Sequence, residues 1–217
     1  MKKHIYLILF VLVSGVVQAQ DMYVNFYGSY AFDDSFDSYY DYDAYYDGKI
    51  KGGFQWGAGL EYKPSPYMGF EFVYLRQDTN APTWYRTYNN VREQYADFDL
   101  GINYLLLGAN RYFSRPGNQF QGFGGLMAGM VIADLENTTE GSRWSSNTTK
   151  FSWGAKLGGI YWMNDYFGLK LQAQLLSVVQ GAGGGFYFDG YGPQTSVYTY
   201  STIYQFSLGG GLVFSIN

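Results

Sequence analysis

The chain contains no cysteine, and its single histidine, His4, lies within the first twenty residues. No disulfide, thiol nucleophile or cysteine-linked lipid anchor is available, so an exported product must hold together by its own architecture. Without histidine, the commonest general base and the commonest transition-metal ligand are missing from the body of the chain. Charge is also scarce, at 15% of residues, where soluble domains run nearer ~25%. Beyond residue 19 no apolar run approaches the ~20 residues of a spanning helix.

The first twenty residues, MKKHIYLILFVLVSGVVQAQ, carry Lys2 and Lys3, then an apolar stretch from Ile5 to Val13, then Val17-Gln18-Ala19. This is the pattern of a secretory signal peptide over residues 1–19, cleaved after Ala19, with the functional domain over 20–217. The apolar stretch is too short for a spanning anchor. Removing Lys2 and Lys3 from the 14 basic residues leaves 12 against 18 acidic, a net charge of about −6. That balance argues against nucleic acid as a partner.

Aromatics and glycine are abundant: 21% of residues are aromatic, with 24 Tyr, and there are 29 Gly. They fall in an alternating pattern of period two, the mark of half-buried strands. In IYQFSLGGGLVFSIN, Tyr204, Phe206, Leu208, Leu212, Phe214 and Ile216 share one face, and Gln205, Ser207, Gly209, Gly211 and Ser215 the other. GFQWGAGLEY, FSWGAKLGG and LKLQAQL repeat it. In FDLGINYLL the same rule puts Leu100, Ile102 and Tyr104 on the apolar face and Asp99, Gly101 and Asn103 on the polar one. Eight runs result: 22–32, 50–62, 68–77, 97–113, 119–133, 150–163, 167–180 and 202–216. The connections alternate between short (KPSPY, SRPGN, NDY) and long (33–49, 78–96, 134–149, 181–201).

A membrane-spanning backbone without helices must close into a barrel. Short turns at one end and long loops at the other are the habit of outer-membrane barrels, and an even strand number puts both termini on the periplasmic side. The expected fold is therefore an eight-stranded antiparallel up-and-down transmembrane β-barrel, small enough to be filled by side chains. Its lumen is expected to hold Glu61, Glu71, Asp99, Lys156 and Lys170, with Arg111 near the periplasmic end, as a salt-bridged network. Tyr62, Tyr67, Tyr112, Phe113, Trp162, Tyr166 and Phe167 would form one aromatic belt, and Tyr30, Phe54, Trp56, Tyr74, Phe98, Trp153 and Tyr204 the other. A weak repeat, GAGLEYKPSPYMGFEF against GAKLGGIYWMNDYFGLKL, sets Glu71 and Lys170 in equivalent positions, and these two are expected to pair. A soluble lipocalin-like barrel is the competing architecture, but it would carry a Lys- and Glu-rich outer face.

Catalytic and metal patterns are lacking. No histidine base is present, and no Ser-Lys or paired-Asp spacing replaces it, so the chain is expected to be non-enzymatic. GAGGGF and LGGGL lack the Gly-Lys-Ser/Thr of a phosphate loop. DDSFDSYYDYDAYYDG, residues 33–48, holds six Asp and five Tyr. Read as a calcium loop from Asp43 it fails, with Tyr45 at position 3 and Phe54 at position 12. It reads as an outer loop held in water, with weak bridging of divalent cations to lipopolysaccharide as its only metal chemistry. No cofactor is implied. TWYRTYNNVREQY (83–95) reads as a Tyr-rich outer loop, or as a recognition surface for sugar or protein.

GLEYKPSPYMGFEFVYLR and LLLGANRYF followed by FQGFGGLMAGM resemble the OmpX/OmpA-type outer-membrane β-barrel superfamily. The glycine- and tyrosine-rich style is similar to the "outer membrane protein beta-barrel domain" group, which includes PorT-like proteins. The resemblance implies an outer-membrane location and contact with membrane lipids, lipopolysaccharide and the barrel assembly machinery. The role it implies is envelope integrity or surface interaction, the alternative being a narrow transport or secretion-associated barrel. LVFSIN departs from the terminal Phe common in that superfamily.

Overall fold

The computed structural model describes residues 21–41, 44–87, 90–113, 118–137, 144–179, 186–189, 192–195 and 203–216. The leader, including the cleavage position, lies outside the described residues. The strands are β1 (Asp21–Ala31), β2 (Asp34–Asp41), β3 (Ala44–Ile50), β4 (Gly53–Ser65), β5 (Met68–Thr87), β6 (Asn90–Tyr112), β7 (Phe120–Asn137), β8 (Trp144–Trp162), β9 (Phe167–Val179), β10 (Phe186–Asp189), β11 (Gly192–Thr195) and β12 (Ile203–Ile216).

Eight of them form a ring. The hydrogen-bonded order β5-β4-β1-β12-β9-β8-β7-β6 closes because β5 also pairs with β6. All the neighbouring pairs are antiparallel. Closure removes the sheet edges that would otherwise offer unpaired backbone groups. The described chain enters and leaves at the mouth with the short turns, where Met22 faces Ile216.

The long connections differ from the loops read in the sequence. β5 and β6 run on past the barrel wall until Thr87 faces Asn90, and β7 and β8 until Asn137 faces Trp144. Much of 78–96 and 134–149 is thus strand. The acidic stretch is strand too: β2 pairs with β3, and β3 with the far part of β5. Carboxylates every few residues do not prevent the backbone pairing of a hairpin. Its base is fastened by an Asp33–Lys49 ion pair and by the Gly52 N–H, which donates to Asp33 Oδ1 at 2.6 Å.

The outward face of the wall is apolar. Phe54, Leu60, Phe70, Phe72, Leu107, Leu126, Leu157, Leu171, Leu208 and Leu212 all stand exposed on it. Exposed outward aromatics include Tyr67, Phe113, Phe120, Tyr161 and Tyr166 near the short turns, and Tyr30, Phe54, Trp56, Trp153 and Tyr204 toward the other end. Tyr112 and Trp162 are exceptions to the expected belt: they turn inward and pack in a small interior cluster with Phe123, Ile160 and Val213.

On β5 and β6 the polarity of the two faces reverses partway along. Near the short turns the outward residues are Phe70 and Phe72, and Glu71 and Asn110 point in. Further along, Leu75, Leu100, Ile102 and Tyr104 point in and are buried, while Arg76, Asp78, Asn80, Asp99 and Asn103 point out. The switch falls at Tyr104-Leu105-Leu106-Leu107, where successive apolar residues occupy both faces. This corrects two positions. Asp99 and Arg111 are exposed on the outer face, not in the lumen. The apolar phase that marks the outer face lower down marks the inner face here, because the extended hairpin carries its own apolar interior and a wet exterior. Reading the apolar residues near Leu100–Tyr104 as outward therefore puts the whole of this strand on the wrong side, Asp99 beyond the switch and Arg111 below it.

Candidate functional site: the barrel interior

β4 and β5 set Glu61 and Glu71 directly opposite each other on the inward face. Two carboxylates at such a cross-strand position repel unless donors surround them. Gly59 and Gly69 make the space: a Cβ on either would overlap the Glu71 or the Glu61 carboxylate. The donors come from across the lumen. The Lys156 ammonium from β8 forms an ion pair with Glu71, with side chains only 1% and 0% exposed. Asn110 Nδ2 donates to Glu61 Oε1 at 2.7 Å and to Glu71 Oε2 at 3.1 Å. Asn25 Nδ2 donates to Glu71 Oε1 at 2.8 Å, and the Tyr27 hydroxyl donates to the same oxygen. The Tyr112 hydroxyl donates to Glu61 Oε1 at 2.6 Å.

Lys170 reaches this cluster indirectly. Its ammonium donates to the Tyr27 hydroxyl at 3.3 Å and to Asn25 Oδ1 at 3.5 Å, and lies 4.6 Å from the centre of the Phe123 ring. The expected Glu71–Lys170 pair is therefore replaced by Glu71–Lys156, with Lys170 one hydrogen bond further back. Equivalence in a repeat places two residues at one level of their own hairpins and says nothing about which strand lies across the lumen.

Toward the extended hairpins the charged layer gives way to amides. Gln205 Nε2 donates to Gln77 Oε1 at 2.6 Å, from β12 across to β5, and the Tyr104 hydroxyl donates to Gln205 Oε1 at 3.2 Å. Gln174 Nε2 and Ser29 Oγ donate to Gln55 Oε1 at 3.4 and 3.3 Å. Beside them Leu75, Ile102, Leu106, Met127, Val131 and Leu176 form an apolar cluster. At the short-turn mouth, Lys63 sits among aromatic rings, 4.0 Å from the centre of Tyr23 and 3.9 Å from that of Tyr112. Lys156 to Glu71, Asn110 to Glu61, Gln205 to Gln77 and Gln174 to Gln55 link strands that are not neighbours in the wall, so they tie the barrel across its width. What they offer chemically is internal charge neutralisation. Among the described residues no group of three or more His, Cys, Asp or Glu is placed to hold a metal ion.

The structure thus gathers Glu61, Glu71, Lys156 and Lys170 inside, and leaves Asp99 and Arg111 out. Sequence reading missed Lys63, Tyr27, Asn25, Asn110 and Tyr112. Lys63 follows Glu61 by two and so shares its face, but ending the strand at residue 62 consigned it to the turn. Tyr112 counts as an interface aromatic by type, and only its position in register with Asn110 reveals its inward hydroxyl.

An eight-stranded antiparallel ring with an apolar outer face and a charged, hydrogen-bonded interior is the architecture of a small transmembrane barrel. Within that class the fold is shared with small outer-membrane barrels of known structure. The structure is similar to Neisserial surface protein A, at 14% identity over 89% of this chain and 96% of that one, with a TM-score of 0.53. It is similar to the outer membrane protein OprG from Pseudomonas aeruginosa, at 14% identity over 92% and 97%, with a TM-score of 0.55. It also resembles outer membrane protein AlkL, determined in lipid bilayers, at 13% identity over 91% and 90%, with a TM-score of 0.50. No protein-family model matches the sequence, and no curated protein matches it either.

Proposed function

We propose that the chain is a non-enzymatic outer-membrane barrel whose interior is closed by its own side chains and whose extended hairpins face the outside of the cell. The observation that carries this reading is the contrast between the two faces. Leucine and aromatic side chains stand exposed all round the wall, while Glu71 and Lys156 are sealed within it. In water that arrangement would be unstable; with lipid outside, both faces meet the surroundings they need. The short turns and both ends of the barrel domain then lie on the periplasmic side. Lipids and lipopolysaccharide surround the wall, and the barrel assembly machinery inserts it.

The role is to support the envelope and to present the hairpins to a protein or sugar partner. Trp84 and Tyr95, both half-exposed with rings 4.9 Å apart, stand on the β5–β6 hairpin beyond the polar belt of Arg76, Asp78 and Asn80. An exposed aromatic pair above a polar belt is a surface for recognition, not for lipid. Fractionation of cell envelopes, with gel migration of boiled and unboiled samples, tests the reading. It requires an outer-membrane product that migrates differently unboiled; a soluble periplasmic product would contradict it.

A further inference from the structure

At the short-turn mouth lies a cavity of about 370 Å³, within the size range of small-ligand sites. Its one buried lining residue is Lys63, 6% exposed. The Lys63 ammonium is held over the faces of Tyr23 and Tyr112, with Trp162 at 5.8 Å. Rings attract the charge but do not replace oxygen acceptors for its three N–H groups. Among the described residues none accepts a hydrogen bond from it or forms an ion pair with it. The ammonium borders a space that water or a ligand can enter, and Asp21 faces Lys63 directly across the β1–β4 pair.

The neighbouring amides are set as donors. Asn164 Oδ1 accepts the backbone N–H groups of Tyr166 and Phe167 at 2.9 and 2.8 Å, which fixes its orientation. Gln121 Oε1 accepts from Trp162 Nε1 at 3.4 Å. With their oxygens engaged, the NH₂ groups are what these two lining residues have left to offer a ligand. The cavity also has an acidic rim, where Asp21 and Asp165 are both exposed. A simple anion would be drawn to Lys63 and repelled by that rim. A molecule with a carboxylate at one end and an ammonium at the other satisfies both.

We infer that this mouth is a binding site for a zwitterionic ligand, an amino acid or short peptide, with its carboxylate on Lys63 and its amino group toward Asp21 and Asp165. The site adjoins the interior network through Tyr112, whose hydroxyl donates to Glu61 while its ring holds Lys63, but the inference goes beyond the closed-barrel reading because ligand binding at this mouth does not depend on whether the lumen conducts.

The test uses the full mature chain folded in detergent micelles, titrated with the dipeptide alanyl-alanine by calorimetry and by tryptophan fluorescence, since Trp162 borders the site. Saturable binding is expected. It should weaken about tenfold or more with the C-terminally amidated or N-acetylated dipeptide, or with inorganic phosphate. Lys63→Met, checked for folding by unboiled gel migration, should abolish binding. If that variant fails to fold, the exposed double variant Asp21→Asn/Asp165→Asn decides: it should lose the preference for the free amine over the N-acetylated form. Absence of saturable binding to the unsubstituted chain would overturn the inference. So would undiminished binding by folded Lys63→Met, a double variant that keeps its amine preference, or phosphate binding as tightly as the dipeptide.

Discussion

Lys156 and Glu71 form an ion pair from β8 to β5 across the interior, both effectively inaccessible to solvent. Neither charge has water to fall back on, so each depends on the other and on the hydrogen bonds of Asn25, Tyr27 and Asn110. Removing one member of such a pair strands its partner, at ~3–5 kcal/mol, whereas removing both together is far milder. Lys156→Met should therefore lower the urea midpoint of the folded barrel in lipid vesicles sharply. Glu71→Gln/Lys156→Met should recover most of the loss. A double loss equal to the sum of the Glu71→Gln and Lys156→Met losses would mean that the pair is not coupled.

The reversal of polarity along β6 yields a contrast within one strand. Leu107 is 68% exposed on the apolar wall, and Asp99 lies on the outer face of the extension. Leu107→Arg should cost ~2–4 kcal/mol of stability in a bilayer, the range for charges near the midplane, and Asp99→Arg about 0–1. Folding yields into vesicles, followed by unboiled gel migration, measure both. Equal penalties would place the two residues in the same surroundings.

Two glycines separate a packing requirement from mere strand composition. Gly69→Ala drives a methyl into the Glu61 carboxylate and should destabilise by ~1–3 kcal/mol. Gly28→Ala meets the Phe54 ring at an ordinary 3.5 Å and should fall within about 0.5 kcal/mol of the parent. Denaturant titration of both variants checks the difference.

Acid should loosen the base of the first hairpin. The Lys49 ammonium, and then the Gly52 N–H, hold the Asp33 carboxyl below its ordinary value. A folded-state pKa lowered in this way contributes stability present above the unfolded value, and that stability is lost as pH falls through the folded one. Because Asp33 is exposed, the effect is local. Hydrogen exchange at the Gly52 amide should quicken below about pH 4, and Lys49→Ala should move that onset to higher pH.

The barrel was legible in the sequence because period-two alternation survives in most strands. In β4, β8, β9 and β12 the faces read from composition are the faces observed, down to Gln55, Lys156, Gln174 and Gln205. β6 misled because alternation records only that two faces differ, not which of them is inside. Asp99 and Leu107 share parity with Arg111, yet the polar side changes between them. The acidic stretch misled for a related reason: its Asp and Tyr content marks it as wet, which a hairpin and a loop satisfy equally. Lys156 as the partner of Glu71 was beyond reach, since strand stagger decides what lies across the lumen. The mouth lysine was legible in principle, being in phase with Glu61.

Single-channel recording in planar bilayers tests the closed interior most directly. The Glu71–Lys156 pair, the amides spanning from Gln205 to Gln77 and the ring-bound Lys63 together predict no steady, large conductance from the unsubstituted barrel at neutral pH. A sustained large open state in that protein would contradict the account, because no such current passes a lumen filled by its own side chains.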